Sequence, residues 1–192
     1  MTIPKQSNLK TLEEYLAKEK TAPEKSEFHN GEILSMSGGT IVHSKIAART
    51  VSALIQALEG TLCEVYESNL MVRIESANSI VYPDTTVICG PPEIDERREH
   101  VAKNPIMIVE VLSESTGAYD RGEKFHLYQQ IPSFREYMLI EQKAPQIDVF
   151  HKNNEGKWMV ESYFGLDSIV ELHSLGIKIA LSSIYKSVNF EA

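Results

Sequence analysis

Cysteine is scarce in this chain: only Cys63 and Cys89 occur among 192 residues. Two cysteines are too few for a zinc site of their own, and neither a Cys-x-x-Cys nor a His-x-x-His spacing is present. They could pair in principle, but a domain of this size does not need a disulfide, and two thiols suit a reduced, cytoplasmic setting. The N-terminal stretch MTIPKQSNLK lacks the apolar segment of a secretory signal. No apolar run approaches the length that crosses a bilayer, so no membrane partner is expected. Basic residues are also in deficit, with 19 Lys and Arg against 27 Asp and Glu and a formal net charge of −8. A surface built for broad nucleic-acid contact normally carries a basic excess, although a local basic groove is compatible with an acidic total. No repeat, low-complexity tract or long linker divides the sequence. A single domain spanning residues 1–192, with a substantial core, is expected.

What is present reads as an α/β protein. Asn8 to Lys20 has Leu9, Leu12 and Leu16 on one helical face and a capping box in Thr11-Leu-Glu-Glu14. In Glu27 to Leu34, Asn30-Gly31 suits the type I′ turn of a hairpin. Ser37-Gly-Gly-Thr40 leads into a helix whose buried stripe is Val42, Ile46, Val51, Leu54, Ile55 and Leu58, stopped by Gly60. Residues 62–67, 70–75 and 80–89 read as strands, 91–104 as a polar loop, and 106–112 as a central strand buried on both faces. A helix starts at Ser115 or Thr116 and runs to Gln130, where Pro132 closes it. A strand at 136–141, a hairpin of 147–152 with 158–163, a strand at 176–181 and a short helical turn complete the chain. This order predicts a mixed sheet flanked by helices, with additional hairpins toward both ends.

Two carboxylates interrupt this pattern. In Val81-Tyr-Pro-Asp-Thr-Thr-Val-Ile-Cys-Gly90, Asp84 stands at the head of an apolar strand. In Pro105-Ile-Met-Ile-Val-Glu-Val-Leu112, Glu110 shares a face with Ile106, Ile108 and Leu112. Burying an ionised carboxylate costs several kcal/mol unless a cation or hydrogen-bond donors compensate. Taken singly, each has an ordinary explanation: Glu110 could pair with Arg73, and Asp84 could cap a turn. Side by side on adjacent strands, they repel unless a cation lies between them, and Mg²⁺ commonly takes one or two carboxylates.

Tyr82-Pro-Asp84, Ile108-Val-Glu-Val-Leu-Ser-Glu-Ser-Thr116 and Asp120-Arg-Gly-Glu-Lys-Phe-His-Leu-Tyr128 together resemble the bacterial Uma-type restriction endonuclease family of the PD-(D/E)XK superfamily. The similarity extends from Glu27-Phe28, Gly31-Glu32 and His43 to Leu175-Gly-Ile-Lys-Ile179. The resemblance implies a restriction-endonuclease-like core with Asp84 and Glu110 as ligands of Mg²⁺ or Mn²⁺. The superfamily's usual lysine falls where this chain has Leu112, and the family pattern of a lysine on the following helix points to Lys124. At helical spacing Asp120, Lys124 and Tyr128 share a face. Without the family, Lys124 reads as a solvated partner of Asp120.

Glu32 and His43 match family positions and are further candidates, with a solvent-facing glutamate and a structural histidine as the ordinary alternatives. Lys45 and Arg49 share a helix face that could meet phosphates or simply water. The leading expectation is a metal-dependent DNA endonuclease acting as a homodimer. The alternatives are a nuclease-fold binding or regulatory module without catalysis, and a metal-dependent hydrolase of small phosphate esters.

Overall fold

A computed structural model describes residues 10–36 and 38–190. Asn8 and Leu9 of the first expected helix, and Ser37 of the lead-in to the second, lie outside the described residues. Helix α1 (Leu12–Glu19) starts on the expected capping box: the Thr11 hydroxyl accepts the Glu14 N–H, and the Glu14 carboxylate accepts the Thr11 N–H. Its Tyr15 ring stacks on Phe28 at 5.3 Å between centroids. Phe28 belongs to β1 (Ser26–His29), which turns into β2 (Glu32–Ser35). Asn30 and Gly31 have φ of 48° and 102°, the two positive values that a type I′ turn requires.

Helix α2 (Ile41–Ala57) starts where the Thr40 hydroxyl accepts the His43 N–H. It buries Ile46, Thr50, Leu54 and Leu58, four residues at successive intervals of four. Ile55, expected in this stripe, is 53% exposed, because one step beyond Leu54 rotates it about 100° around the helix. Thr50 takes a place in the stripe by donating its hydroxyl to the Ile46 carbonyl.

The run from Ile80 to Cys89 divides into β5 (Ser79–Val81) and β6 (Thr85–Cys89). Pro83 offers no N–H to continue a ladder, and the chain passes here from one sheet to another. With β3 (Cys63–Glu67), β4 (Met71–Ile74), β7 (Ile94–Asp95) and β8 (Arg98–Ala102), two six-stranded mixed sheets form. The first has the order β2-β1-β5-β4-β8-β7. Strands β7 and β8 lie within the stretch expected to be a polar loop. Val101 and Ala102 of β8 are fully buried and pair in parallel with Met71 and Val72.

In the second sheet, β9 (Met107–Val111) lies between β6 and β10 (Glu136–Ile140), antiparallel to the former and parallel to the latter. Strands β11 (Gln146–Lys152) and β12 (Trp158–Phe164) extend it beyond β10, and β3 closes the other edge. The expected helix from residue 115 or 116 to 130 is two short helices, α3 (Gly117–Arg121) and α4 (Glu123–Tyr128), broken at Gly122 (φ −120°, ψ −90°). A small third sheet pairs β13 (Ile169–Leu172), not expected from the sequence, with β14 (Ile177–Ala180), and α5 (Leu181–Ile184) follows.

The expectation of two free thiols is corrected. Cys63 and Cys89 stand directly opposite in the β3–β6 register and are joined as a disulfide. Among the described residues, no helix is long and apolar enough to cross a membrane.

Candidate active site

The passage from β5 to β6 brings the first sheet against the second, and Asp84 sits at that junction. Its Oδ2 accepts the Val111 N–H at 2.8 Å and lies 3.1 Å from His43 Nε2. The Asp84 N–H faces Glu110 Oε2 at 3.4 Å. The two carboxylates noted in the sequence are therefore neighbours across adjacent strands.

Glu110 is 4% exposed. Its Oε1 accepts the Tyr128 hydroxyl at 2.7 Å and an ion pair from Lys124 Nζ at 2.9 Å. Arg73 is not its partner: the Arg73 guanidinium donates to the Ser79 carbonyl and the Asn78 side chain. Lys124 is 5% exposed, which corrects its reading as a solvated helix residue. The break at Gly122 starts a new helix, and α4 points Lys124, Phe125 and Tyr128 into the core. Lys124 Nζ also lies 3.3 Å from Glu27 Oε1 and 3.9 Å from Asp120 Oδ1.

Glu27 was not among the residues expected here. It is 6% exposed, with Oε1 accepting the Tyr82 N–H at 3.1 Å and Oε2 3.1 Å from His29 Nε2. Glu32, the acidic residue expected in its place, lies exposed on β2 and does not line the cleft. The reason is the two-residue turn, which pairs His29 with Glu32 at the turn end of the hairpin and sets Glu27 two residues further from the turn, opposite Leu34. Neither Lys45 nor Arg49 lines the cleft, and Lys45 Nζ is held by the Ser187 carbonyl at 2.9 Å.

The charges do not balance locally. Glu27, Glu110 and Asp120 surround the ammonium of Lys124, and Asp84 adjoins Glu110. Burial raises Glu110, Lys124 opposes this, and Asp84 and Asp120 add to it, leaving a pKa of about 8. Burial acts upward on Glu27 too, but the Lys124 ammonium and the hydrogen bonds from His29 and the Tyr82 N–H hold it at about 2. Burial would lower Lys124, yet Glu110, Glu27 and Asp120 raise it well above its ordinary value, so it stays an ammonium. The hydrogen bond to Asp84 raises His43 against the effect of its own burial. Among the described residues, Lys124 is the one permanent cation of the cluster for several carboxylates, all with hard oxygen donors. That donor set suits Mg²⁺ or Mn²⁺.

The cluster opens into a cleft of ≈ 1790 Å³, the far wall of which is the first half of α2. Ser44, Ala47 and Ala48 line that wall with small side chains. The cleft is not uniformly basic, since Arg121 on its rim pairs with Asp148 at 2.8 Å and with Glu141.

Comparison with known proteins places the chain in a family and matches its fold. The family model Uma2, described as "Putative restriction endonuclease", matches residues 12–182. An uncharacterized protein of Synechocystis sp. is 38% identical over 178 residues, covering 93% of this chain and 92% of the relative. A second from the same organism is 29% identical over 177 residues, covering 92% of this chain and 100% of the relative. A crystal structure from Anabaena variabilis, described as "a putative nuclease belonging to DUF820", superposes with a TM-score of 0.73 at 17% identity. It covers 94% of this chain and 99% of its own. At that identity the likeness establishes the fold, a mixed α/β architecture shared with that protein.

Proposed function

The chain belongs to the Uma2 family, and from that premise we propose that it is a metal-dependent endonuclease hydrolysing DNA phosphodiester bonds. The observation that carries the reading is the surplus of buried carboxylates around Lys124 at the floor of an open cleft. Asp84 and Glu110 would hold Mg²⁺ or Mn²⁺. Asp84 Oδ2 is engaged by Val111 and His43, and Glu110 Oε1 by Tyr128 and Lys124. Among the described residues, Asp84 Oδ1 has no such partner and Glu110 Oε2 has only the long 3.4 Å contact from the Asp84 N–H, so these are the oxygens available to a cation. When bound, the cation supplies Lewis-acid chemistry: it acidifies water and offsets phosphate charge.

The protein's own groups prepare the rest. Glu27 and Glu110 fix the Lys124 ammonium at the cleft floor, where it stabilises charge developing on the attacked phosphate. Leu112, in the superfamily's usual lysine position, is free to pack in the core, since α4 brings the cation from above the sheet. Tyr128 and His43 act as positioning residues for Glu110 and Asp84. A DNA substrate fits the proposed location, the cytoplasm, which the Cys63–Cys89 disulfide does not favour.

The test is incubation of the purified protein with plasmid and with single-stranded DNA under Mg²⁺ or Mn²⁺, beside Asp84→Ala. Cleavage that disappears in Asp84→Ala supports the endonuclease. DNA binding without cleavage replaces it with a binding module, and turnover of small phosphate esters alone replaces it with a small-molecule hydrolase.

We also propose a homodimer joined through β12. This strand is an outer edge of the second sheet, and its Met159, Val160 and Phe164 are 47%, 56% and 62% exposed. An edge ladder with apolar side chains favours pairing with a second copy. Light scattering should give the dimer mass, and Val160→Lys should give the monomer; a monomeric parent protein would end the proposal.

A further inference from the structure

On the other face of the second sheet, three potential ligands meet from separate elements. His151 is on β11, Glu161 on β12, and His173 in the turn between β13 and β14. One ligating atom from each lies within 4.8 Å of the others. His151 pairs with Glu136, which pairs with Met107, so the group lies on the face of Met107, Val109 and Val111, opposite that of Glu110. None of the three lines the cleft.

We propose that His151, Glu161 and His173 form a transition-metal site, with Zn²⁺ as the fitting ion. Two imidazoles and one carboxylate are an established zinc donor set that leaves a fourth position for water. The oxygen-only cluster around Lys124 has a different preference. His173 Nε2 already stands 3.3 Å from Glu161 Oε2. That is about the ligand separation of a tetrahedral ion with bonds near 2.0–2.2 Å. The His151 ring now stacks on His173 at 3.9 Å between centroids and must turn toward the ion to complete the set.

Three further features support a ligand here. His151 is 8% exposed, and its Nδ1 is buried with no hydrogen-bond partner among the described residues. A buried ring nitrogen without a partner is costly, and ligation can satisfy the ring. The Tyr163 hydroxyl donates to Glu161 Oε2 at 2.5 Å, an outer contact of the kind that orients a ligating carboxylate. Glu136, fully buried, fixes the turn that carries His173. Its Oε1 accepts the His173 N–H at 2.7 Å, and its Oε2 accepts the Ser174 N–H and hydroxyl at 3.2 and 2.6 Å. An ion held here would clasp the small third sheet to the second. The ligands are ten or more residues apart, so no local histidine spacing announces them in the sequence.

The test uses full-length protein stripped with EDTA and dialysed against ZnCl₂, in an Asp84→Ala background that removes one proposed ligand of the cleft. Bound Zn²⁺ is counted by elemental analysis, and Co²⁺ substitution reports nitrogen and oxygen ligation through its ligand-field spectrum. His173 is exposed and Glu161 half-exposed, so His173→Ala and Glu161→Gln should fold normally, as the melting temperature of the metal-free protein will show. The expected result is one Zn²⁺ per chain, a higher melting temperature on Zn²⁺ addition, and at least tenfold weaker binding in both variants. No Zn²⁺ bound in the Asp84→Ala protein, or binding unchanged by both variants, would overturn the site.

Discussion

Met107, Val109 and Val111 turn one face of β9 toward α2 and the third sheet, into a core that is mainly apolar, with Glu136 and His151 at its margin. Ile108, Glu110 and Leu112 turn the other toward α4, where aromatic rings surround a carboxylate, an ammonium and two more acids. A single strand thus separates a face that supplies hydrophobic stabilisation from one that gives some of it up. Burying charge is tolerated only where partners are complete, and around Lys124 they are not. The local deficit of positive charge is what makes that face suited to binding a cation.

The largest break in this comparison is Lys124→Met. It should lower DNA cleavage by roughly 10²–10³, the size of losing one transition-state stabiliser. Because Lys124 is buried among Glu27, Glu110 and Asp120, it should also destabilise the metal-free fold by about 3–5 kcal/mol. Urea denaturation in EDTA checks the second figure. A cost under about 1 kcal/mol would mean that the lysine is solvated in solution.

Met138→Ala strikes the apolar face instead, at a residue with no exposed surface. It should cost about 2–5 kcal/mol through the cavity left behind, with cleavage per folded molecule unchanged. Equal losses of activity from both faces would dissolve the distinction between them.

Tyr128→Phe should be milder, at about 1–3 kcal/mol, since it removes one donor from buried Glu110 and leaves the ring packed. An unchanged denaturation midpoint would show that the hydroxyl contributes nothing.

The buried carboxylate also makes the comparison sensitive to pH. Glu110 has a folded pKa of about 8 against an ordinary 4.5, so between those values the folded state holds a proton that the unfolded state has lost. Stability in EDTA should therefore fall as pH rises through this window. His43 acts in the same sense, because its raised pKa adds stability at low pH that is lost as it deprotonates. Glu27, held at about 2, contributes stability above pH 4.5 that is lost as pH falls toward 2. Melting temperatures across pH 5–8 should show the decline, shallower in Glu110→Gln. A flat profile in the parent protein would mean that Glu110 is ionised throughout.

Much of this arrangement was legible in residue order. The capping box at Thr11, the Asn30-Gly31 turn and the apolar run around Glu110 are local signals, and each element lies where its signal stands. What could not be read depends on partners distant in sequence. Strands β7 and β8 hide in a charged stretch because short strands with one exposed flank need little apolar content. Glu27 and Glu32 both look like polar residues of a hairpin, and only packing against Lys124, on a helix almost a hundred residues later, distinguishes them. Lys124 itself matched a family pattern, but its burial follows from the break at Gly122, which helical periodicity does not reveal.

The parallel pairing of β9 with β10 has a consequence for the order of folding events. Parallel neighbours need a crossover segment, and here that segment is α3 and α4, which carries Lys124. The ammonium therefore reaches the acidic cluster in the same long-range step that completes the centre of the sheet. With β6 and β9 paired but the crossover undocked, Asp84 and Glu110 would stand together without the Lys124 ammonium, which favours a proton on one of them. The acidic junction therefore has its ammonium only once the crossover has docked.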